Sequence, residues 1–332
     1  MGIFFTRWIQ GTRTGIFIIS IVLVSILSAF FLWYNVPFPE TLKIAACAAW
    51  GVFGLCVLAA QFSRYKNLAR LCFLLSFLVI VAGWFSIRPS NNRTWAGDVA
   101  HTVTGEISGN IVTLHNVRNF NWHGLSDYDQ NWETRRYDFS KISSVDLFLS
   151  TWGNPNIAHT LVGFGFTDGS HVVFSVEIRK ERHEEFSEIA GFFKQYEIAL
   201  VAADENDIIR TRTNVRKEDV SMYHVLLTPE QAKELFLSYV HKGNRLAKEP
   251  EFYHTLTANC TTVVYDMIRL IVPGIPMDYR ILLSGRLPAY IYDLGGLGRE
   301  KTLQDIMDRA SISARAQEIK EHENYSKFIR SR

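Results

Sequence analysis

Three long stretches without a charged residue lie within the first 88 residues of this 332-residue chain, at positions 15–38, 44–62 and 71–87. A helix that crosses a bilayer needs about 17–25 apolar residues. The apolar core of a secretory signal is shorter, about 7–15 residues. Because two further apolar stretches follow the first at once, we interpret all three as retained membrane helices.

The basic residues predict how these helices are oriented, since cytoplasmic loops carry an excess of Lys and Arg. Two arginines precede the first helix and three basic residues separate the second from the third, whereas the loop between the first and second has only Lys43 beside Glu40. The five basic residues are Arg7, Arg13, Arg64, Lys66 and Arg70. We therefore expect a bacterial inner-membrane protein with a cytoplasmic N-terminus, and everything after Arg88 in the periplasm.

The charge balance separates this membrane region from the rest of the chain. The whole chain has 35 basic and 33 acidic residues, a net charge of +2. Residues 1–88 hold seven basic residues and one acidic, which leaves 28 basic and 32 acidic, a net of −4, in the remainder. This composition argues against a nucleic-acid partner bound through its phosphates. With 48% hydrophobic residues, the chain is also not disordered.

Strand signals dominate the first part of the soluble region. Residues 106–114 predict a hairpin around Gly109-Asn110, and residues 145–149 form a short apolar run. A second hairpin joins residues 159–166 to 171–178 through a turn that contains Asp168-Gly169, a pair typical of hairpin turns.

Helix signals follow. Thr228, Pro229 and Gln231 form the pattern of a helix N-terminus with a capping box. Asn259 starts a second helix, which Pro273 stops. We predict an α+β domain over residues 89–300, after a membrane domain over residues 1–88 and before a charged helical tail over residues 301–332.

Cys260 is the one cysteine outside the predicted membrane helices, which contain Cys47, Cys56 and Cys72. Asn259 is a natural N-cap, so Cys260 should be the first residue of its helix. The partial positive charge at a helix N-terminus lowers the pKa of a thiol, and its free N–H groups can stabilise an oxyanion. Cys260 is therefore a candidate nucleophile. The alternative is an inert cysteine at the start of a core helix.

A cysteine nucleophile needs a base, and His159 is the best-placed histidine because it opens an apolar strand next to the Gly-Asn-Pro-Asn loop at 153–156. His171 belongs to the turn end of the same hairpin, about 26 Å away along the strand. The environments of His224 and His254 are less clear. The histidines in polar surroundings are interpreted as surface residues: His101, His115, His183, His241 and His322.

Glu177 is the candidate third member, because it is a charged residue within an otherwise apolar strand. A three-residue turn at 168–170 would pair Leu161 with Glu177, and His159 and Glu177 would then be diagonal neighbours on one face of the sheet. A two-residue turn would place Glu177 on the other face. The alternative role for Glu177 is an edge-strand carboxylate paired with Arg179 or Lys180.

Several ordered motifs between about residues 100 and 300 resemble the periplasmic domain of the Lnb family of bacterial lipoprotein N-acyltransferases. They are residues 116–120 (Asn-Val-Arg-Asn-Phe), Trp152 with 158–160 (Ala-His-Thr), 164–166 (Phe-Gly-Phe), 175–179 (Ser-Val-Glu-Ile-Arg), 191–197 (Gly-Phe-Phe-Lys-Gln-Tyr-Glu), 203–205 (Ala-Asp-Glu), 212–214 (Arg-Thr-Asn) and 259–262 (Asn-Cys-Thr-Thr). Some relatives carry their membrane helices after this domain, whereas here three apolar stretches precede it.

The resemblance implies a permuted papain-like (NlpC-like) fold in which Cys260, His159 and Glu177 are catalytic. The thiolate would take an acyl chain from a membrane phospholipid as a thioester and pass it to the N-terminal amine of a diacylglyceryl-cysteine lipoprotein. Asn259 and Gln195 are candidate oxyanion donors and Trp152 a candidate substrate contact. The reaction needs no metal and no cofactor.

Two other classes of function remain open from the residues alone. A papain-like cysteine hydrolase, either a cell-wall peptidase or a lipid esterase, would use the same three residues with water as the acceptor. A membrane-anchored binding domain with a structural cysteine would use none of them.

The orientation of the membrane helices can be tested with a reporter that is active only outside the cytoplasm. We expect activity from a fusion after Arg88 and none from a fusion at Lys66, because the basic residues flanking the second and third helices favour the cytoplasm. The opposite pattern would exclude a periplasmic enzyme.

Overall fold

The computed structural model describes residues 2–320 and 323–331, with side chains described from residue 15 onward; His322 lies outside the described residues. The chain divides into two compact units. One consists of Met1–Pro89 together with Ser187–Gln195, and the other of Ser90–Phe186 together with Tyr196–Arg332.

The first unit contains three helices, α1 (Gly2–Asn35), α2 (Glu40–Ala60) and α3 (Lys66–Ser86). Each has a segment long and apolar enough to cross a membrane. The prediction of three helices long and apolar enough to cross a membrane is confirmed, although α1 begins at Gly2, well before the predicted start at residue 15. Their orientation stays a prediction.

Aromatic contacts hold the first unit together. Trp50 stacks on Phe73 with ring centroids 5.7 Å apart, and its indole Nε1 donates to the Ser25 carbonyl at 3.1 Å. The returning segment Ser187–Gln195 places Phe193 against Phe30, with ring centroids 5.4 Å apart. Phe193 also contacts the rings of Tyr34 and Trp84. The segment is thus part of the same aromatic core as the helices.

The second unit is built on an eight-stranded sheet with the order β1-β2-β9-β8-β7-β6-β10, and β5 pairs with β2. All neighbours are antiparallel except β2 and β9. The strands are β1 (Thr104–Ser108), β2 (Ile111–Arg118), β3 (Asn121–Trp122), β4 (Tyr128–Asp129), β5 (Trp132–Asp138), β6 (Ile142–Thr151), β7 (Ala158–Phe166), β8 (His171–Arg179), β9 (Glu197–Ala203) and β10 (Asp219–His224). The pair β3 and β4 forms a separate two-stranded sheet.

Helices cover both faces of this sheet, so its central strands are buried on both sides. They are α4 (Glu205–Arg210), α5 (Pro229–Lys248), α6 (Cys260–Ile271), α7 (Tyr279–Leu282), α8 (Leu287–Asp293), α9 (Leu303–Ala310), α10 (Ser313–Gln317) and α11 (Tyr325–Arg330). Phe236 and Tyr239 of α5 pack on Phe164 and Phe174 on one face. Residues of α4, α10 and α11 pack on the other. This double burial explains why β7, β8 and β9 are almost continuously apolar.

Local signals located the starts of the main helices correctly. Thr228 caps α5 in a reciprocal capping box with Gln231, and Pro229 is its first residue. The hairpin around Gly109-Asn110 is also confirmed, because Ser108 pairs with Ile111. Mixed α and β structure after an apolar helical region is therefore confirmed. The permuted papain-like topology stays a prediction.

The hairpin between β7 and β8 turns one residue earlier than predicted. Its loop consists of residues 167–169, and the amide of Phe166 donates to the carbonyl of Ser170 at 3.0 Å to close it. Gly169 has a φ of +83°, a left-handed conformation that glycine adopts without strain.

This turn changes the pairing of the two strands. Leu161 lies opposite Ser175, so the predicted pairing of Leu161 with Glu177 is wrong. The register differs by two residues, which leaves each side chain on its predicted face. Continued along the strands, the same register places His159 opposite Glu177 rather than diagonal to it.

A buried ion pair ties β2 to α4. Arg118 donates to both carboxylate oxygens of Asp207, at 2.8 and 3.0 Å. Asp207 also accepts from the Phe120 amide and from the indole Nε1 of Trp122. Both charged side chains are almost inaccessible to solvent. The carboxylate therefore anchors the residues after β2, including the small β3–β4 sheet, to the main sheet.

We expect Asp207→Ala to lower the melting temperature of the full-length protein in detergent, because it leaves Arg118 buried without its counter-ion. Removing one partner of a buried pair costs about 3–5 kcal/mol, which for a domain of this size is a loss of at least about 6 °C. Asp129→Ala is the matched control, since this exposed carboxylate pairs with His123 at the surface. An equal effect of the two substitutions would contradict a structural role for the buried pair.

Candidate active site

Cys260 is the first residue of α6, as predicted, and Asn259 is its N-cap. The side-chain oxygen of Asn259 accepts hydrogen bonds from the amides of Thr261 and Thr262, both at 2.9 Å. The side-chain nitrogen donates to the carbonyl of Thr255 at 2.7 Å. Asn259 is therefore committed to the cap. Among the hydrogen bonds of the described residues, none engages the Cys260 amide, so this amide is the free donor of the first helical turn.

His159 lies on β7 beside this helix terminus. Its imidazole interacts electrostatically with Cys260, and its Nε2 is 2.7 Å from Ser175 Oγ and 3.2 Å from Glu177 Oε1. Because Nε2 is occupied in this way, Nδ1 is the ring nitrogen available to the thiol. The structure thus brings Cys260, His159 and Glu177 together from α6, β7 and β8.

Two residues that the sequence did not assign to the site hold Glu177 in place. Ser175 Oγ donates to Glu177 Oε1 at 2.7 Å. Arg212, in a short π-helical turn at Thr211–Val215, donates to the same oxygen from Nη2 at 3.0 Å. Its Nη1 donates to the Ile208 carbonyl at 2.8 Å, which fixes the guanidinium.

A signal for Ser175 was present in the sequence, because residues two apart on a strand share a face. Arg212 had no such local signal. The alternative partner for Glu177, Arg179, points elsewhere and bonds to the carbonyls of Val99 and Ala100.

The electrostatics of the site favour a thiolate–imidazolium pair. Burial lowers the pKa of His159, but the charges of Glu177 and Cys260 outweigh it and raise that pKa to about 9. Burial likewise raises the pKa of the Cys260 thiol, yet the facing imidazolium and the Thr160 amide bring it below its ordinary value. The pKa of Glu177 is held well below its usual range against burial, by His159 and then by Arg212. The higher pKa of His159 and the lower pKa of Cys260 both favour the ion pair over the neutral thiol and imidazole.

Tyr239 is a further polar group near the sulfur that the sequence did not single out. Its side chain on α5 is fully buried, and its hydroxyl has no hydrogen-bond partner among the described residues. Burial, and then the negative charge of Cys260, raises its pKa. The hydroxyl therefore keeps its proton in the neighbourhood of the thiolate.

The remaining candidates are Trp152 and Gln195. Trp152 follows β6 and is 47% exposed, and the pocket it lines, beside Gly153 and Arg216, contains none of the three central residues. Gln195 belongs to the segment Ser187–Gln195 of the first unit. Their roles stay predictions. Within the described residues, no group of three or more His, Cys, Asp or Glu side chains could hold a metal ion.

Comparison with known proteins gives one match. The family model described as the Lnb N-terminal periplasmic domain matches residues 128–285. This range contains His159, Glu177, Arg212 and Cys260. No curated protein and no solved structure matches the chain.

We expect Cys260 to react with iodoacetamide at neutral pH faster than an ordinary thiol of pKa about 8.5, because His159 stabilises its thiolate. His159→Ala should slow this reaction several-fold at pH 7 and move its midpoint to higher pH. Peptide mass mapping of the full-length protein separates Cys260 from Cys47, Cys56 and Cys72. His171→Ala, at the turn end of the same hairpin, is the matched control. An unchanged pH profile in His159→Ala would rule out the ion pair.

Proposed function

The chain belongs to the Lnb family through residues 128–285, and on this premise we propose that it is a membrane-anchored lipoprotein N-acyltransferase with Cys260 as its nucleophile. The observation that carries the proposal is the cluster of Cys260, His159 and Glu177 at a helix N-terminus inside the matched domain, where His159 Nε2 is 3.2 Å from Glu177 Oε1 and the imidazole interacts electrostatically with Cys260. Three helices that can span a bilayer belong to the same chain. Such an anchor suits an enzyme that takes its acyl donor from a membrane.

The first half-reaction forms a thioester. The Cys260 thiolate attacks an ester carbonyl of a phospholipid, and the new C–S bond makes a tetrahedral oxyanion next to the free Cys260 amide. The ester C–O bond then breaks. The imidazolium of His159 gives its proton to the departing alkoxide, which leaves as a lysophospholipid. His159 is now neutral, and the acyl chain is on the sulfur.

The second half-reaction transfers the chain to an amine. The free α-amine of a diacylglyceryl-cysteine lipoprotein attacks the thioester carbonyl, and neutral His159 accepts the proton that the nitrogen loses. The C–N bond forms, the C–S bond breaks, and the thiolate–imidazolium pair is restored. Glu177 stays ionised throughout and orients the imidazole, with Arg212 and Ser175 holding the carboxylate.

The order of elements supports a permuted papain-like fold for this domain. The histidine strand β7 precedes the cysteine helix α6 in the chain. In the proposed topology, the N-terminus is cytoplasmic and the matched domain acts in the periplasm, where the lipoprotein N-terminus is accessible.

The decisive experiment isolates the intermediate. We expect intact-mass analysis of the full-length protein, incubated with phospholipid and no amine, to show a fatty-acyl adduct that is absent from Cys260→Ala. His159→Ala should abolish adduct formation, whereas Glu177→Gln should slow it less, because an orienting carboxylate does not itself move the proton. A diacylated lipopeptide with a free N-terminus should clear the adduct and become an amide. The same lipopeptide with an acetylated N-terminus is the control and should leave the adduct in place.

Two outcomes would replace the proposal. Release of free fatty acid at the same rate with and without lipopeptide would make the protein a lipid hydrolase. Absence of any adduct, with cleavage of a muropeptide, would make it a cell-wall peptidase.

A further inference from the structure

An apolar cavity of about 430 Å³ lies in the second unit directly beside the nucleophile. Two of its lining residues, Thr160 and Thr261, lie beside the sulfur: Thr261 Oγ1 is 3.8 Å from Cys260 Sγ, and Thr160 Oγ1 is 3.2 Å from Thr261 Oγ1. The cavity therefore begins where an acyl group on Cys260 would begin.

One face of α6 leads from the nucleophile along the cavity. Val264 and Ile268 both line it, and they follow Cys260 at intervals of four residues, the spacing of neighbours on one helical face. With a rise of 1.5 Å per residue, the backbone of Ile268 is about 12 Å from that of Cys260 along the helix axis. The wall thus has a near end at Val264 and a far end at Ile268.

The wall of the cavity is largely apolar. None of the described residues that line it is charged. The hydroxyls of Thr160 and Thr261 lie 3.2 Å apart and satisfy each other. The hydroxyls of Tyr265 and Tyr290 donate to the carbonyls of Ile275 and Pro276.

These hydroxyls are therefore turned away from any occupant. A charged headgroup or a peptide would lose its hydration here without a replacement, whereas an alkyl chain would lose nothing.

The cavity also has an apolar opening to the outside. Leu226 and Leu294 belong to its lining, yet they are 54% and 46% exposed. A chain that enters the cavity past these residues meets apolar side chains. Its volume falls within the range of about 300–1,000 Å³ that is usual for small-molecule sites.

We propose that this cavity binds the acyl chain of the thioester on Cys260 and that its depth along α6 selects the length of the chain. The inference rests on the proposed acyl transfer and adds the site that receives the hydrocarbon. The carbonyl carbon is held at the sulfur, and successive methylene groups pass Val264 and then Ile268. A larger side chain at either position should shorten the longest chain accepted, and more so at Val264.

The test uses the full-length protein with phospholipids that carry octanoyl, dodecanoyl or hexadecanoyl chains in equal amounts and no amine. Intact-mass analysis gives the ratio of adducts on the protein. We expect Ile268→Trp to lower the hexadecanoyl-to-octanoyl ratio by about tenfold or more, as loss of fit for a few methylenes does in apolar pockets. Val264→Trp should also disfavour dodecanoyl. Leu270→Trp is the control, because Leu270 is on the same helix, is 81% exposed and does not line the cavity.

A substitution that shortens the side chain at position 268 controls for loss of folding in the enlarged variants. Ile268→Ala enlarges the far end and should raise the share of hexadecanoyl adduct. If Ile268→Trp and Ile268→Ala both leave the ratio of the parent protein unchanged while adducts form normally, the cavity does not hold the chain.

A binding measurement separates this inference from the proposed function. Cys260→Ala protein is irradiated with a long-chain fatty acid that carries a terminal photoreactive diazirine, and the labelled residues are mapped by mass spectrometry. Labelling at the Ile268 end of the cavity, with no adduct in the parent protein, would support the cavity as the acyl-chain site and contradict the proposed acyltransferase function. Adducts on Cys260, with labelling outside the cavity, would support the acyltransferase function and contradict the cavity as the acyl-chain site.

Discussion

The carboxylate of Glu177 is the group on which the arrangement of the site depends. One of its oxygens lies within hydrogen-bond distance of His159, Ser175 and Arg212. A buried carboxylate is stable only with such compensation. In return, its charge keeps His159 protonated, and the protonated imidazole lowers the pKa of Cys260. The pKa of the thiol thus depends, through His159, on the carboxylate of Glu177, which the guanidinium of Arg212 holds in place.

The two-sided sheet explains how these groups meet. Helices α5 and α6 cover one face and α4, α10 and α11 the other, so polar side chains on the central strands are kept from water and must find partners among themselves. The π-helical turn after α4 carries Arg212 to Glu177, while α6 carries Cys260 to His159. The face of α6 that follows Cys260 then borders the apolar cavity, so one helix combines Cys260, its free amide and one wall of the cavity.

The motifs shared with the Lnb family serve two purposes in this fold. Those at 158–160, 175–179, 212–214 and 259–262 contribute the thiol, the imidazole and the groups that orient it. The motif at 116–120 has a structural role, since Arg118 is bound to buried Asp207. In the motif at 191–197, Phe193 packs within the aromatic core of the first unit.

The sequence by itself determined the features that depend on neighbouring residues: the three apolar helices, the caps of α5 and α6, the position of Cys260 at a helix start and, for a three-residue turn, the common face of His159 and Glu177. These follow from hydrophobicity, local hydrogen bonds and the two-residue period of a strand. Only the tertiary structure decided the strand register, which depends on how Phe166 and Ser170 close the turn. It also decided the contact of Arg212 with Glu177, which are 35 residues apart in the sequence. The cavity beside Cys260 is likewise tertiary, because its wall joins β7, α6 and α8, and no local pattern encodes the space left between packed elements.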